Sequence, residues 1–352
     1  MAIKSLAIKY RPKSFDDVVE QGSIKIILQQ QLEANETKNA YLFCGGAGTG
    51  KTTCARIFAN EINKGQGNPI EMDAASNSGV EDVRMITQQA KTQSLDSEYK
   101  VFIIDECHSI SNTGWQAFLK LIEEPPAKSI FIFCTTDPQK IPKTILSRVQ
   151  RYDFQRISHI GVVNRLKYIL MEERDTLFCG ADTTDTDYMY EPEAIDYIAK
   201  IADGGMRDAI TLMDKCLAYS DDLTLENVLK ALGTVDYETM FYLTDSIITN
   251  EVDSTIKVIE DVHRAGKDLK QFIKTYTNFI LDLCKYGVLK SFDLINIPNT
   301  YEDRMNKYND HAYEDFNKLL STLVKLNADI KWETSPKPVI ESVLLLRCME
   351  SD

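Results

Sequence analysis

A glycine-rich loop directly after an apolar run is the feature that most constrains how this chain can fold. Residues 41–44 are apolar, and residues 45–52 then read Gly-Gly-Ala-Gly-Thr-Gly-Lys-Thr. This G-x-x-x-x-G-K-[ST] pattern predicts a buried strand, a tight turn and a helix over residues 53–62. A glycine-rich surface turn with an unrelated lysine is the simpler alternative, but it does not account for Thr52 or for the motifs that follow.

The loop has the chemistry of a phosphate site. Its glycines let backbone N–H groups close on phosphate oxygens, Lys51 can reach the β- and γ-phosphates, and the Thr52 hydroxyl can hold Mg²⁺. We therefore predict that the chain binds ATP with a magnesium ion. The predicted phosphate-binding residues are Gly45, Gly46, Ala47, Gly48, Thr49, Gly50, Lys51, Thr52 and Thr53.

Composition narrows the class of protein. The 352 residues are 43% hydrophobic and 26% charged, as in an ordinary globular protein of two or three domains. No run of about 18 apolar residues occurs and residues 1–11 lack a signal-peptide core, so we expect a cytoplasmic protein with no membrane partner. The net charge of −13 argues against a chain coated in nucleic acid. The eight cysteines are scattered without a C-x-x-C pair, so no zinc is expected.

Four short apolar runs alternate with helix-like segments in the first part of the chain. These runs cover residues 41–44, 69–72, 101–104 and 130–135. Such alternation predicts a parallel sheet with helices on both faces.

After residue 154 the strand pattern stops and apolar residues recur at helical spacing. A polar and acidic segment at 179–193 interrupts them and is predicted to be a loop. We predict an α/β domain over 1–155, a small helical domain over 156–221 and a larger helical domain over 222–352. The last boundary rests on the turn signal of Asp221 and Asp222.

Two acidic residues follow the third apolar run. Asp105 stands at its carboxyl end, and Glu106 comes next. An aspartate there can complete the Mg²⁺ shell, and the adjacent glutamate can orient the water that attacks the γ-phosphate. For such a pair taken alone, a helix N-cap is an equal alternative. With Lys51 and Thr52 upstream in the same sheet, hydrolysis is the favoured interpretation.

Three further residues could act around the γ-phosphate. Thr136 closes the fourth apolar run, which places a hydroxyl near the attacking water. Arg148 and Arg207 are candidate cations for the charge of the transition state. A lone arginine is most often a surface residue or an ion-pair partner, and spacing alone does not separate these two from that alternative. For His108 a structural role is favoured over a ligand role.

Several unusual strings carry a family resemblance: KYRPKSFDDVV at 9–19, AYLF at 40–43, EMDAASN at 71–77, IDE at 104–106, FLKLIEEPP at 118–126, TTDPQK at 135–140 and ILSR at 145–148. In these strings and their order the chain resembles the gamma/tau subunit of the bacterial DNA polymerase III clamp loader, an AAA+ ATPase. The resemblance covers residues 1–215. Beyond residue 220 only the helical character agrees, so the collar domain is assigned by position.

The resemblance implies a fold and a role for single residues. The fold is an α/β AAA+ domain of the P-loop NTPase class with a parallel sheet, then a small helical lid domain and a C-terminal all-helical collar domain. The implied roles are Walker A for Lys51 and Thr52, Walker B for Asp105 and Glu106, sensor 1 for Thr136, sensor 2 for Arg207, an arginine finger acting on a neighbour's ATP for Arg148, and adenine and ribose contacts for Arg11, Pro12 and Val19.

The sequence departs from the family in three ways. Only residues 63–68 join the phosphate-loop helix to the second strand, where the family usually inserts a four-cysteine zinc module. Val149 and Glu20 replace the expected cysteine and glycine, and neither change removes a catalytic group. The chain ends near the end of the expected collar without a tau-like tail. These features suggest a viral or otherwise divergent member.

The function implied by the resemblance is ATP-driven loading of a sliding clamp onto primed DNA. Expected partners are other clamp-loader subunits, in an expected pentamer, the clamp, and DNA held through its phosphates. One alternative is another AAA+ motor such as a branch-migration helicase, although the acidic helical last 130 residues show no winged-helix signal. The other is a stator subunit without hydrolysis, which the intact Lys51, Thr52, Asp105 and Glu106 disfavour.

The sequence offers candidate residues for contacts with DNA and with the clamp, and each candidate has a simpler alternative explanation. Arg84 and Lys91 lie on a predicted helix and could meet DNA, but a solvated helix face explains them as well. The helix around Trp115, Phe118 and Leu119 could face the clamp, with core packing as an equal alternative.

Overall fold

This computed structural model describes residues 5–77, 79–92, 94, 96–177, 190–232, 237–292, 294–308 and 310–349. The chain divides into two compact units, one made of Met1–Thr184 with Ile198–Asp214 and the other of Asp185–Tyr197 with Lys215–Asp352. The three domains predicted above stay a prediction. Most of the predicted loop at 179–193 lies outside the described residues, which resume at Tyr190.

The first unit alternates strands and helices. Its elements are α1 (Leu6–Lys9), α2 (Gly22–Glu33), β1 (Ala40–Cys44), α3 (Lys51–Ile62), β2 (Ile70–Asp73), α4 (Val80–Ala90), β3 (Lys100–Asp105), α5 (Asn112–Glu123), β4 (Ser129–Thr135), α6 (Lys143–Leu146), β5 (Gln150–Asp153) and α7 (His159–Leu177). The four predicted strands are confirmed as β1 to β4. The unit also includes the end of α8 (Pro192–Ile201) and the start of α9 (Met206–Tyr219).

The five strands form one parallel sheet in the order β2-β3-β4-β1-β5. The register pairs Cys44 with Thr135 and Asp73 with Asp105, so the carboxyl ends of β1 to β4 share one edge. The sequence reasoning missed β5. This edge strand reads Gln-Arg-Tyr-Asp, and only Tyr152 in it is buried, so it lacks the apolar run that marks the others.

The sheet is buried on both faces because strand side chains alternate sides. Phe131 and Phe133 of β4 belong to the core on one face, together with Trp115 of α5. Ile132, from the same strand, joins the core on the other face with Phe58 of α3. Each central strand therefore reads as a continuous apolar run, which made it recognisable in the sequence.

The seven residues between α3 and β2, 63–69, make a short connection. Asn63 anchors it: its side-chain amide donates to the carbonyl of Tyr99 and accepts from the N–H of Tyr99, both at 2.9 Å. Gly65 and Gly67 take positive φ angles of 79° and 68° in this link. A tight, hydrogen-bonded turn therefore stands where the family resemblance would place a zinc module.

Replacing Phe133 by alanine should cost about 3–5 kcal/mol of unfolding free energy, because it leaves a cavity in a packed aromatic cluster. The Phe133 ring is fully buried, with its centroid 5.5 Å from that of Trp115 and 5.2 Å from that of Phe118. Urea denaturation measures the change. The control Ile160→Ala, at a side chain 70% exposed, should stay within about 0.5 kcal/mol of wild type. Equal losses in both variants would contradict this packing.

The second unit is helical, as predicted. Its elements are the beginning of α8, the end of α9, and then α10 (Leu225–Leu232), α11 (Tyr237–Ile248), α12 (Val252–Arg264), α13 (Leu269–Leu289), α14 (Glu302–Met305), α15 (Asp310–Asp329) and α16 (Pro336–Met349). Its interior contains Phe241, Tyr276 and Phe316, each almost completely buried. The buried Tyr276 hydroxyl forms a hydrogen bond with Thr244 Oγ1, 3.0 Å away. Within the described ranges, no helix is both long and apolar enough to cross a bilayer.

Candidate nucleotide-binding site

The glycine-rich loop folds in a conformation that side chains would obstruct. Gly45, after the end of β1, has φ +152°, and a Cβ there would lie 2.5 Å from the carbonyl oxygen of Phe154. Gly48 has φ +70°, and a Cβ there would lie 3.0 Å from Gly205 Cα. The N–H of Met206 donates to the Gly48 carbonyl at 3.0 Å. The loop therefore leaves the sheet at Gly45 and packs closely against the start of α9.

Lys51 begins α3 and turns its side chain back over the loop. Its Nζ donates to the carbonyls of Gly45 and Gly46 at 2.8 and 2.7 Å. Burial lowers the pKa of Lys51, and the nearby carboxylates of Glu106 and Asp105 oppose that shift. The loop carbonyls thus satisfy a buried ammonium that could also donate to phosphate oxygens.

Thr52 and Asp105 are brought together by the topology. Thr52 Oγ1 donates to Asp105 Oδ2 at 2.8 Å, and the N–H of Glu106 donates to Asp105 Oδ1 at 3.0 Å. A hydroxyl beside a carboxylate is a hard oxygen pair, and Mg²⁺ is commonly held by one or two such groups with phosphate and water oxygens. The donor set therefore fits a magnesium ion.

Glu106 follows β3 in a left-handed backbone conformation with φ +44°. Its Oε2 accepts from Thr136 Oγ1 at 2.9 Å, and Thr136 follows the neighbouring strand β4. His108 Nδ1 lies 3.2 Å from the same oxygen. Glu106 and Thr136, two residues predicted separately to act near the attacking water, are thus in direct contact, and His108 lies beside them, which the sequence reasoning had not anticipated.

A pocket of about 280 Å³ lies over the loop. The predicted site residues that line it are Arg11, Pro12, Val19, Ala47, Gly48, Thr49, Gly50, Lys51, Thr52, Thr53, Asp105, Glu106 and Arg207. The wall also includes residues the sequence did not single out, namely Ala7, Tyr10, Val18, Ile157, Arg165, Met206, Asp208 and Ile210. Gly45 and Gly46 stand beside the pocket as acceptors for Lys51, and Thr136 is joined to it through Glu106.

Arg148 lies apart from this pocket, just after α6. Its Nε donates to Glu123 Oε1 at 2.8 Å, and Nη1 donates to the Thr144 carbonyl at 2.8 Å and to Ser147 Oγ at 3.0 Å. Both members of the ion pair are partly exposed, the Arg148 side chain by 39% and that of Glu123 by 43%. Arg148 therefore does not complete the site of its own subunit.

The structure bears on the residues that could contact the clamp, but it does not decide about those that could contact DNA. Trp115 and Phe118 are buried at 3% and 0% exposure in the core of the first unit, so core packing is the interpretation that the structure supports for them. Arg84 is exposed and paired with Glu81 of its own helix, within hydrogen-bond distance. A role for Arg84 or Lys91 on DNA stays a prediction.

These features define the class of the protein: a strand-loop-helix phosphate site at the carboxyl edge of a five-stranded parallel sheet, in an AAA+ fold. Solved structures agree. The RuvB Holliday junction branch migration motor of Thermotoga maritima aligns with a TM-score of 0.50 over 85% of this chain and 99% of that one, at 20% sequence identity. At this identity the likeness concerns the fold alone.

Family comparisons place the chain more closely. Three family models match along it: DNA polymerase III delta subunit over residues 69–158, DNA polymerase III clamp loader subunit ATPase lid domain over 184–222, and DNA polymerase III subunits gamma and tau domain III over 223–352. The chain belongs to the family of DNA polymerase III gamma and tau subunits.

Individual relatives agree with that assignment. DNA polymerase III subunit tau of Bacillus subtilis is 32% identical over all of this chain and 64% of its own length. The Escherichia coli subunit tau is 31% identical over 76% of this chain and 43% of its own length. The chain thus spans between about two fifths and two thirds of the length of these two relatives.

Proposed function

We propose that this protein is the ATPase subunit of a sliding-clamp loader, binding and hydrolysing ATP to open a clamp and place it on primed DNA. The observation that carries the proposal is the convergence of Lys51, the Thr52–Asp105 pair and the Glu106–Thr136 pair on one edge of the sheet. A nucleotide-binding stator needs no such set of hydrolytic groups. Because the chain belongs to the family of gamma and tau subunits, we infer that ATP hydrolysis drives changes in a sliding clamp and the DNA to which it is loaded.

In the proposed site each residue has a distinct task. Lys51 donates to the β- and γ-phosphates, and Thr52 with Asp105 holds Mg²⁺, which neutralises phosphate charge when bound. Glu106 orients the attacking water, and Thr136 donates to the water or the γ-phosphate. Arg207 adds positive charge from α9. The adenosine end lies against Arg11, Pro12 and Val19 on the pocket wall.

Assembly is part of the proposal. The subunits would join through the helical region over 222–352 as a collar, most simply in a pentamer, with residues 156–221 as the lid. Each Arg148 would then reach the γ-phosphate in a neighbouring pocket. DNA would be held through backbone phosphates, which needs only local positive charge in a chain of net charge −13.

One assay tests the function. The ATPase rate of the full chain, assembled with its partner subunits, is measured alone, with a sliding clamp, with primed DNA, and with both. Joint stimulation well above either single addition supports a clamp loader. Stimulation by a four-way junction without any effect of the clamp would instead indicate a branch-migration motor, and binding of ATP without hydrolysis in any mixture would indicate a stator.

Thr52→Val should raise the Mg²⁺ concentration needed for half-maximal ATP hydrolysis on the order of 10-fold, because the ion loses an oxygen ligand and the loss of even an outer-shell partner of a metal site costs about 10- to 100-fold in affinity. The change keeps the shape of the side chain but removes the hydroxyl that meets Asp105. A magnesium titration of the ATPase rate measures the effect. Thr249→Val, at an exposed position just after α11, is the matched control. An unchanged magnesium dependence in Thr52→Val would contradict the assigned role.

A further inference from the structure

Two donors of Thr136 and the imidazole of His108 lie around a single carboxylate oxygen of Glu106. Thr136 Oγ1 lies 2.9 Å from Glu106 Oε2, the N–H of Thr136 lies 3.4 Å away, and His108 Nδ1 lies 3.2 Å away. A carboxylate only accepts hydrogen bonds, so Nδ1 must carry a proton for its contact to be favourable. A neutral imidazole with the proton on Nδ1 meets that requirement.

The position of His108 is built into the fold. It lies in a 3-10 turn, Cys107–Ser109, whose first residue is fully buried. The N–H of Ser109 bonds back to the Glu106 carbonyl at 3.0 Å. The same Nδ1 also lies 3.1 Å from Thr135 Oγ1, whose oxygen accepts from the N–H of Asp137 at 3.0 Å, so a proton on Nδ1 is shared between Glu106 Oε2 and Thr135 Oγ1. The ring is therefore held at the carboxylate by the turn and by the end of β4.

Glu106 needs such support from outside its own backbone. β3 ends at Asp105, and Glu106 leaves the strand with positive φ, so sheet geometry does not orient its side chain. Its orientation depends on the donors around the carboxylate. A base that orients water must be held in place, because small displacements of a catalytic group cost large factors in rate.

The Thr136 hydroxyl has one proton, so it cannot donate to Glu106 and to the phosphate or the water at the same time. In the structure that proton goes to Glu106, whereas in hydrolysis it is needed by the γ-phosphate or the attacking water. When the hydroxyl turns to the phosphate, His108 Nδ1, 3.2 Å away, is the side-chain nitrogen left beside Glu106 Oε2 among the described residues. The long backbone contact at 3.4 Å is a weaker restraint.

We propose that His108 is a positioning residue for ATP hydrolysis: its Nδ1–H holds the Glu106 carboxylate in place when Thr136 engages the phosphate. This rests on the proposed function, since it assigns His108 to the same site. His108 itself touches neither ATP nor water in this scheme. Its loss should therefore lower the rate of the chemical step without weakening nucleotide binding.

The test compares three substitutions in the full chain, in the oligomer that it forms. His108→Ala removes the donor and should lower kcat for ATP hydrolysis about 10-fold, with the Kd for ATP changed less than about 2-fold. His108→Asn places an amide N–H near the former Nδ1 and should restore most of kcat. His108→Gln carries the same amide one methylene further out and should not. Asparagine and glutamine keep polarity at this site, so their difference tests the proposal even if the alanine variant is unstable.

The outcomes separate this inference from the function on which it rests. Wild-type kcat in His108→Ala, or equal kcat in the asparagine and glutamine variants, would overturn the positioning role. A rise in Kd for ATP with kcat unchanged would do the same. Glu106→Gln is the reference: it should abolish hydrolysis whatever His108 does. If the wild-type assembly itself binds no ATP, the proposed function fails, and the inference about His108 fails with it.

Discussion

Lys51→Ala is expected to weaken ATP binding on the order of 100-fold or more, enough to abolish it at ordinary protein concentrations. The lost ammonium would otherwise donate to two phosphates, and each hydrogen bond to a charged group is worth about 1.5–3 kcal/mol. The structure favours a large effect because Lys51 is buried, so water does not replace its contact fully. Equilibrium binding of a fluorescent ATP analogue measures the loss.

Two further variants make that result specific. Lys51→Met keeps the length of the side chain without its charge and should lose affinity to a similar extent. Lys38→Ala removes an exposed lysine outside the pocket and should bind like wild type. Both alanine variants need comparable melting temperatures, since Lys51 also satisfies the carbonyls of Gly45 and Gly46. Unchanged nucleotide affinity in folded Lys51→Ala would rule out the assigned role.

The parts of the site that lie next to strands could be predicted from sequence. Lys51, Thr52, Asp105 and Thr136 each follow a continuous apolar run, and the carboxyl ends of parallel strands meet at one edge. The apolar runs therefore predicted the parallel sheet with helices on both faces, and with the glycine-rich pattern they placed these residues at one edge, whereas the AAA+ class came from the family resemblance. It could not supply the side-chain contacts, such as that of Thr52 with Asp105, because these depend on register and rotamer.

The site residues outside the strands were harder to recognise from local sequence patterns. Tyr10 and Arg165 line the pocket from segments far apart in the chain, where the carbonyl of Tyr10 accepts from Arg165 Nη2 at 3.0 Å. No local pattern marks such a pair. His108 was seen in the sequence but interpreted as structural, since its partner Glu106 is brought to it by a turn with positive φ that propensity does not reveal. The edge strand β5 was missed because edge strands often carry polar residues, and β5 therefore lacks the continuous apolar run that marks the other strands.

Arg148→Ala should leave ATP binding nearly intact and lower hydrolysis in the assembled oligomer by about 10³-fold, the lower end of what an arginine finger contributes. The separation of these effects follows from geometry. Arg148 lies away from the pocket of its own chain, paired with Glu123, so its own nucleotide loses no contact. Steady-state ATPase assays and analogue binding on the same oligomer give the two quantities. Arg151→Ala, which removes an exposed arginine paired with Asp153, is the matched control and should hydrolyse normally.

A mixing experiment decides whether Arg148 acts on the neighbouring subunit. Oligomers of Lys51→Ala alone lack a working phosphate loop, and oligomers of Arg148→Ala alone lack the finger. In mixed oligomers some interfaces combine an intact Lys51 pocket with an intact Arg148 from the next subunit, and those interfaces should hydrolyse ATP. Activity above that of either parent therefore requires action between subunits. If mixing restores nothing although both variants assemble, or if Arg148→Ala alone hydrolyses normally, Arg148 does not act on its neighbour's ATP.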